Sequence, residues 1–197
     1  MRFDIILPTI GRDSLATAVK SVVDQTYDDW ILHVVGDGID AQHLPEIDPV
    51  FDNPRIRCYS MVERHASYGA NARNFGISAG ESEWIAYIDD DDEWLPLHLA
   101  TIVNLSSQYP EADMIRTAGQ SFKMRHKSPR SSNRVQKLGP VNTTDILTVG
   151  MAHTRELFYN TSGWLPCDNH DHKLWRAMLN EGGTAHECEA VTFLFER

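Results

Sequence analysis

The chain has 197 residues, of which 42% are apolar and 23% charged, a composition typical of a globular protein that buries a full core without disulfides. Its 18 Lys and Arg against 28 Asp and Glu give a net charge of −10, which argues against a protein that binds nucleic-acid polymers regardless of sequence. The apolar runs are much shorter than a membrane span and the N-terminus lacks the pattern of a signal peptide, so we expect a cytoplasmic protein without a transmembrane segment.

The first predicted elements are a strand and a helix. The apolar run at residues 3–7 is typical of a buried strand, which the breakers Pro8 and Gly11 end. Asp13 or Ser14 is placed to cap the helix that follows. Apolar residues at helical spacing predict that helix: Leu15, Ala18, Val19, Val22 and Val23.

The alternation of strands and helices continues to residue 110. Strands are predicted at residues 30–35, 55–59 and 84–88, and helices at residues 69–79 and 97–109. Gly80 and Pro110 follow the two helices and are typical of helix ends. This rhythm predicts an α/β fold with a mostly parallel sheet covered by helices on both faces.

The second half of the chain is less regular. The least regular stretch runs from residue 114 to about 150, and we predict a helix at residues 172–180 and a strand at residues 190–195. Residues 123–137 carry six basic side chains and no acid, which indicates either an anion-binding loop or a solvated one. The cysteines, Cys58, Cys167 and Cys188, are odd in number and lack CxxC spacing, so we expect reduced thiols.

Four consecutive aspartates, Asp89 to Asp92, follow the predicted strand at residues 84–88. Adjacent carboxylates repel one another unless solvent or a cation offsets their charge. Mg²⁺ and Mn²⁺ prefer such oxygen ligands, and the carboxyl end of a parallel strand is where α/β sheets bind ligands. The run therefore predicts a divalent-metal site, with a solvated acidic loop as the alternative. Strand alternation predicts that Asp89 and Asp91 point to one side and Asp90 to the other.

Two further strand ends carry candidate ligand-binding residues. Asp37 lies between Gly36 and Gly38 and can accept hydrogen bonds from a ribose or a base, although an Asp-Gly turn is also a common connector. Residues 8–12 place backbone N–H groups after the first strand, where they can meet a base or a phosphate. The absence of GK[ST] and GxGxxG patterns argues against an ATPase or a dinucleotide-dependent dehydrogenase.

Two blocks of the chain resemble the family 2 glycosyltransferases. Residues 3–40 contain PTIGR and SVVDQT, and residues 69–96 contain ARN and YIDDDDEWLP, in the order and spacing of that family. The resemblance covers about half the chain and implies a single GT-A domain over residues 1–197. Residues 1–110 would bind nucleotide and metal, and residues 111–197 the acceptor. The implied reaction is inverting transfer of a sugar from a nucleotide-diphospho-sugar donor to an acceptor hydroxyl, assisted by Mn²⁺ or Mg²⁺.

The resemblance also implies roles for single residues. The positions that match nucleotide contacts are Thr9, Asp37, Arg73, Asn74 and Asp90. The positions that match metal ligands are Asp91, as the direct ligand, and Asp89. Gly36 stands where the family usually has a first acidic residue, which implies altered ribose contacts.

The catalytic base is expected at the start of the late helix. Aligning residues 174–175 with the family's helix places Asp171 at the base position and His170 where Glu is usual. A carboxylate beside the anomeric carbon can take the proton of the acceptor hydroxyl. Asp168 is the alternative base, and either aspartate can instead simply cap the helix.

Some second-half residues have two interpretations each. His186 matches the histidine that completes the metal shell in some GT-A enzymes, but a lone histidine is more often a surface or core residue. Trp164 is interpreted as an acceptor-site residue and Trp175 as core. The acceptor itself, whether a glycan, a lipid-linked molecule or a small molecule, is not indicated.

Two other functions are open at this point. A sugar-phosphate nucleotidyltransferase also uses an α/β sheet and acidic metal ligands, although PTIGRDS is a poor match to its usual glycine-rich signature. A non-catalytic module that binds a nucleotide sugar is the second alternative, because acceptor-binding elements often lie in longer C-terminal segments.

Overall fold

An eight-stranded sheet with helices on both faces forms the protein, in a computed structural model that describes residues 1–65, 67–122 and 146–196. The strands are β1 (Phe3–Thr9), β2 (Trp30–Asp37), β3 (Ile56–Met61), β4 (Trp84–Tyr87), β5 (Glu93–Trp94), β6 (Met114–Phe122), β7 (Met151–Thr154) and β8 (Ala185–Glu196). The α-helices are α1 (Leu15–Val23), α2 (Leu44–Ile47), α3 (Ala70–Ala79), α4 (His98–Gln108), α5 (Arg155–Tyr159) and α6 (His170–Asn180). Short 3₁₀ turns lie at Ala41–His43, Pro49–Phe51 and Thr148–Gly150.

The strand order is β3-β2-β1-β4-β7-β6-β8-β5. Strands β3, β2, β1 and β4 are parallel, β7 is antiparallel to both of its neighbours, β6 and β8 are parallel, and β5 is antiparallel to β8. The carboxyl ends of β1, β2 and β4 therefore meet at one edge of the sheet. This arrangement confirms the predicted α/β class and the mostly parallel sheet.

Alternation along β1 and β4 explains the two-sided core. Ile5 and Ala86 belong to the core cluster on the face covered by α1 and α4. Ile6 and Tyr87 belong to the cluster on the opposite face, which contains residues of α3 and α6. Because both faces are covered, the strands are continuously apolar, as in other parallel sheets with helices on each side.

The predicted elements of the first half are present with shifted ends. Strand β2 runs two residues further than predicted, so Gly36 and Asp37 close the strand instead of forming a turn. Ser14 occupies the N-cap position of α1, but its hydroxyl donates to the backbone oxygen of Asp90 (2.7 Å) and caps nothing. This hydrogen bond links the start of α1 to the acidic run at residues 89–92.

The expectation that residues 114 to about 150 are less regular is wrong for residues 114–122, which form the nine-residue strand β6. The sequence of β6 contains Gly119, which weakens strand propensity, and the structure shows why glycine is present. A Cβ at Gly119 would lie 2.1 Å from the Phe193 ring, and one at Gly150 would lie 2.6 Å from it. The close packing of Phe193 thus requires two glycines that the sequence pattern presents as breakers. Strand β7, helix α5 and the short β5 were also not predicted.

Several smaller predictions have plain outcomes. Helix α6 begins two residues before its predicted start, which places Asp171 in its first turn. The three cysteines are free thiols, and Trp175 is buried in the core as predicted. The basic residues at 123–137 lie outside the described residues. Over the described ranges, no helix is both long enough and apolar enough to cross a membrane.

Candidate active site

The carboxyl ends of β1, β2 and β4 border a cavity of about 560 Å³, which we call the larger cavity. It is lined by six of the residues that the sequence predicted to contact nucleotide or metal: Thr9, Asp37, Arg73, Asp89, Asp90 and Asp91. Four separate segments of the chain therefore converge here, as expected for ligand sites at the carboxyl edge of an α/β sheet.

Both carboxylate oxygens of Asp90 have partners within the protein. It accepts hydrogen bonds from Thr9 Oγ1 (2.7 Å) and from the Ile10 N–H (3.2 Å), and its second oxygen lies 3.0 Å from Arg12 Nε. Arg12 Nη1 also pairs with Asp91 Oδ2 at 3.0 Å. Strand β4 ends at Tyr87, so strand alternation does not govern the acidic run, although Asp89 and Asp91, without Asp90, line a second cavity described below.

The acidic run concentrates negative charge that Arg12 offsets only in part. Partial burial raises the pKa of Asp91, the Arg12 guanidinium opposes this rise, and the charges of Asp89 and Asp90 add to it. An additional cation beside Asp91 would relieve this repulsion.

Asp37, the last residue of β2, is buried and faces the larger cavity. Its Oδ1 accepts a hydrogen bond from the His65 N–H at 2.8 Å, which fixes the carboxylate against the loop after β3. Gly36, which replaces the family's first acid, has no room for a side chain, because a Cβ there would lie 2.7 Å from Ile39 O. The backbone around this position therefore accommodates glycine and not the acidic residue that is usual in the family.

Arg73 on α3 is a buried connector between the acidic run and α6. Its Nη2 pairs with Asp89, its Nη1 donates to Tyr68 O at 2.8 Å, and Nη1 lies 3.5 Å from His170 Nε2. The guanidinium also lies over the Trp164 ring, 4.8 Å from its centroid. Burial, together with the charge of Arg73, lowers the pKa of His170. Arg73 lines the larger cavity, but its nitrogens are largely engaged by protein groups.

Asn74 is not among the residues that line the larger cavity. Its side-chain amide makes a two-way hydrogen bond with the backbone of Trp164, donating to the carbonyl at 2.9 Å and accepting from the N–H at 3.0 Å. Trp164 itself is 1% exposed, so its ring is not available to stack on an acceptor sugar. Asn74 therefore anchors Trp164, whose ring contacts Arg73 and His170.

A smaller cavity of about 280 Å³ adjoins the larger one. The two cavities share Asp89, Asp91 and His170, and the smaller one also contains Asp171. Asp171 is half-buried in the first turn of α6, where its Oδ1 accepts from the His172 N–H at 2.8 Å. The structure therefore brings the base candidate and two metal-ligand candidates to one space.

The other candidates lie elsewhere. Asp168 is exposed and outside the lining of both cavities, and it interacts with the Tyr68 hydroxyl. His186 Nε2 lies 3.1 Å from Glu111 Oε1, and its ring stacks on Tyr109 with centroids 3.9 Å apart. Glu111 precedes β6 and Tyr109 follows α4, so the structure does not bring His186 to the acidic run.

The donor set of the acidic run fits Mn²⁺ or Mg²⁺. Within residues 1–65, 67–122 and 146–196, no group of three or more His, Cys, Asp or Glu side chains is arranged to hold a metal ion. Mg²⁺, however, is usually held by one or two carboxylates and completes its shell with water and substrate phosphate. Asp91 and Asp89 lie at the junction of the two cavities and supply such a pair.

Sequence reasoning assigned no site role to Arg64 or Tyr68, which both line the larger cavity. They belong to the loop between β3 and α3, which reaches the carboxyl edge of the sheet. Their position just before the Ala-Arg-Asn block is the signal that could have found them, because loops at this edge contact ligands in α/β folds.

Comparisons with known proteins show the family to which the chain belongs. The model of the family described as "Glycosyl transferase family 2" matches residues 4–164, and the chain belongs to that family. The structure is similar to crystal structures of S. aureus TarS, including one of residues 1–349, with a TM-score of 0.80 and 14% identity over 100% of this chain and 60% of that one. This likeness confirms the predicted GT-A fold.

Among curated proteins, the "Putative colanic acid biosynthesis glycosyl transferase WcaA" of Escherichia coli K12 is 35% identical over 102 residues, 50% of this chain and 36% of WcaA. The E. coli "UDP-Glc:alpha-D-GlcNAc-diphosphoundecaprenol beta-1,3-glucosyltransferase WfgD" is 29% identical over 93 residues, 46% of this chain and 35% of WfgD. The matched regions thus span about a third of the length of these relatives.

Proposed function

We propose that the chain binds a nucleotide-diphospho-sugar together with Mn²⁺ or Mg²⁺ and transfers the sugar, with inversion, to an acceptor hydroxyl. The observation that carries the proposal is the junction of the two cavities. The larger cavity reaches Asp37, the smaller one reaches Asp171, and Asp89 and Asp91 lie in the lining of both. A donor and an acceptor placed in adjoining cavities would meet beside the acidic run.

The larger cavity suits a nucleoside diphosphate. The Asp37 carboxylate can accept hydrogen bonds from a base or a ribose, and Arg12 and Arg64 offer guanidinium groups to phosphate oxygens. Two relatives support a uridine nucleotide: the name of WfgD specifies UDP-Glc, and another TarS structure, with a TM-score of 0.76, was determined in complex with UDP-GlcNAc.

We assign the metal to Asp91 and Asp89. When bound, a divalent cation would stabilise the negative charge that develops on the departing diphosphate. The chain supports these ligands on two sides, because Arg12 orients Asp91 and Arg73 orients Asp89. Asp90, whose oxygens are held by Thr9 and Arg12, serves this edge mainly as a structural anchor.

In the transfer step, the acceptor oxygen forms a bond to the anomeric carbon while the bond from that carbon to the diphosphate oxygen breaks. The proton of the acceptor hydroxyl passes to the Asp171 carboxylate, which acts as general base. Attack from the face opposite the leaving diphosphate inverts the anomeric configuration. Asp171 is favoured over Asp168 because Asp171 lines a cavity with Asp89 and Asp91.

The experiment combines ligand binding with turnover. UDP, UDP-glucose, UDP-GlcNAc and GDP-mannose are screened by thermal shift with and without Mn²⁺, and the products of transfer to a panel of sugar acceptors are measured. At 100 times the dissociation constant a ligand adds about 2.7 kcal/mol, which is a rise of roughly 5 to 11 °C for a chain of this size. Asp91→Asn should abolish the Mn²⁺-dependent part of the shift.

Asp171→Asn should keep the shift and lose transfer by about 10²-fold to 10⁴-fold. Asp52→Asn, an exposed aspartate that lines neither cavity, is the matched control and should behave as wild type. Full transfer activity in Asp171→Asn would refute the base assignment. Binding of a nucleotide sugar without turnover across the panel would instead indicate a non-catalytic module.

A further inference from the structure

Tyr68 has a backbone conformation that its side chain does not favour. Its φ of +54° lies in the left-handed region, which tyrosine rarely adopts, and Gly69 follows with a φ of +75°. Asn169, directly before α6, is the other non-glycine residue with positive φ in the described part of the chain. Asparagine tolerates this region, so Tyr68 is the position that needs an explanation.

The burial of an aromatic ring does not explain this conformation, because Tyr68 is 61% exposed. The conformation instead directs the side chain toward the start of α6. The Tyr68 ring stacks on His170 with centroids 6.0 Å apart and planes 27° apart, and its hydroxyl interacts with the Asp168 carboxylate. On the other side, Arg73 Nη1 holds the Tyr68 carbonyl at 2.8 Å.

Besides Tyr68, the start of α6 is contacted by Arg73, whose Nη1 lies 3.5 Å from His170 Nε2, and by the Trp164 ring, 5.3 Å from the His170 ring. Asn169 occupies the N-cap position without a side-chain capping bond. The buried anchors of α6 are Leu174, Trp175 and Met178, which begin one turn after Asp171. The first turn, with Asp171, is therefore held mainly through its neighbours Asp168 and His170.

We infer that Tyr68 is a positioning residue that holds the turn before α6, and with it Asp171, against the loop that leads into α3. The inference rests on the proposed function for its catalytic consequence. It also gives Asp168 a role as an interaction partner of the Tyr68 hydroxyl and not as the base. A displaced Asp171 would still leave the donor cavity intact, so turnover would fall while donor binding persists.

The test separates the hydroxyl from the ring. Tyr68→Phe keeps the ring in the larger cavity and removes the interaction of the hydroxyl with Asp168, and Asp168→Ala removes the same interaction from the other side. Both should lower kcat for transfer from UDP-glucose or UDP-GlcNAc by between about 10-fold and 100-fold, with little change in the donor KM. The double variant should lose no more than either single one, because the two changes break one interaction.

Asp168→Asn distinguishes the two roles of that residue. Its amide oxygen still accepts from the Tyr68 hydroxyl, so kcat should recover most of the loss seen in Asp168→Ala. Tyr159→Phe, an exposed tyrosine of α5 outside both cavity linings, is the control. Inactivity of Asp168→Asn with unchanged kcat in Tyr68→Phe would overturn the inference and make Asp168 the base.

Hydrogen exchange supplies a readout that needs no turnover. Peptides covering residues 168–173 should exchange faster in Tyr68→Phe and Asp168→Ala than in wild type and Tyr159→Phe. Unchanged exchange in both would refute the positioning role whatever the activity. A wild-type protein that neither binds nor turns over any nucleotide sugar would refute the proposed function. The exchange experiment would then still test whether Tyr68 positions the start of α6.

Discussion

Asn74 provides a direct test of what the structure adds to the family resemblance. The resemblance implies a nucleotide contact, whereas both polar atoms of the Asn74 amide bond to the Trp164 backbone, at 2.9 and 3.0 Å. Asn74→Ala removes two hydrogen bonds worth about 1 kcal/mol each and leaves a backbone N–H and a carbonyl unpaired beside a buried ring. We expect a loss of about 2 to 4 kcal/mol in the free energy of unfolding.

For a chain of this size, that loss lowers the melting temperature by roughly 4 to 16 °C. Thermal unfolding followed by circular dichroism measures it, and calorimetry with UDP on the folded variant should give wild-type affinity. The matched control is Asn71→Ala, one turn earlier on α3, where the contact to Ser67 Oγ (3.4 Å) comes from the backbone N–H. Wild-type stability of Asn74→Ala together with lost UDP binding would refute the structural role.

Two further predictions concern stability. Burial lowers the pKa of His153 to about 4, below its ordinary value of 6.5. The contribution of neutral His153 to the stability of the fold is therefore complete above about pH 6.5 and is lost as the pH drops toward 4, because the unfolded chain takes up the proton first. Between pH 7 and pH 5, the free energy of unfolding measured with urea should therefore fall by about 2 kcal/mol more in wild type than in His153→Gln. Equal falls in the two proteins would contradict the lowered pKa of His153. A Cβ at Gly80 would lie 2.1 Å from Asp4 Oδ2, and Asp4 is held by Ser82 N (2.7 Å) and Arg155 Nη2 (2.5 Å), so it cannot retreat. Gly80→Ala should cost about 2 kcal/mol or more, and a wild-type melting temperature would show that Asp4 can move.

The first half of the fold was predictable because its patterns are local. Strands β1 and β4 are apolar runs, and α1 has an apolar face at helical spacing, so their type follows from a few neighbouring residues. Strand β6 was not predicted because Gly119 is typical of a position that interrupts a strand. Glycine is required there because the Phe193 ring of β8 occupies the space of a Cβ. A contact across more than seventy positions leaves no periodic signal in the strand itself.

The candidate site divides in the same way. The aspartates after β2 and β4 could be found because residue type and strand ends together indicate ligand binding. Their partners could not, because Arg12 lies after β1 and Arg73 in α3, and only the packing of these segments brings both to the acidic run. Strand alternation could not by itself give the direction of each acidic side chain, since β4 ends before the run begins.

By itself, the sequence determined the α/β class, the family resemblance, and the acidic run with its place at a strand end, because each depends on residue type and short-range spacing. Only the tertiary structure decided that Asp171 faces the space shared by Asp89 and Asp91, while Asn74 and His186 face other partners. The physical reason is that a side chain's partners are set by how distant segments pack, and the chain between them constrains that packing only weakly.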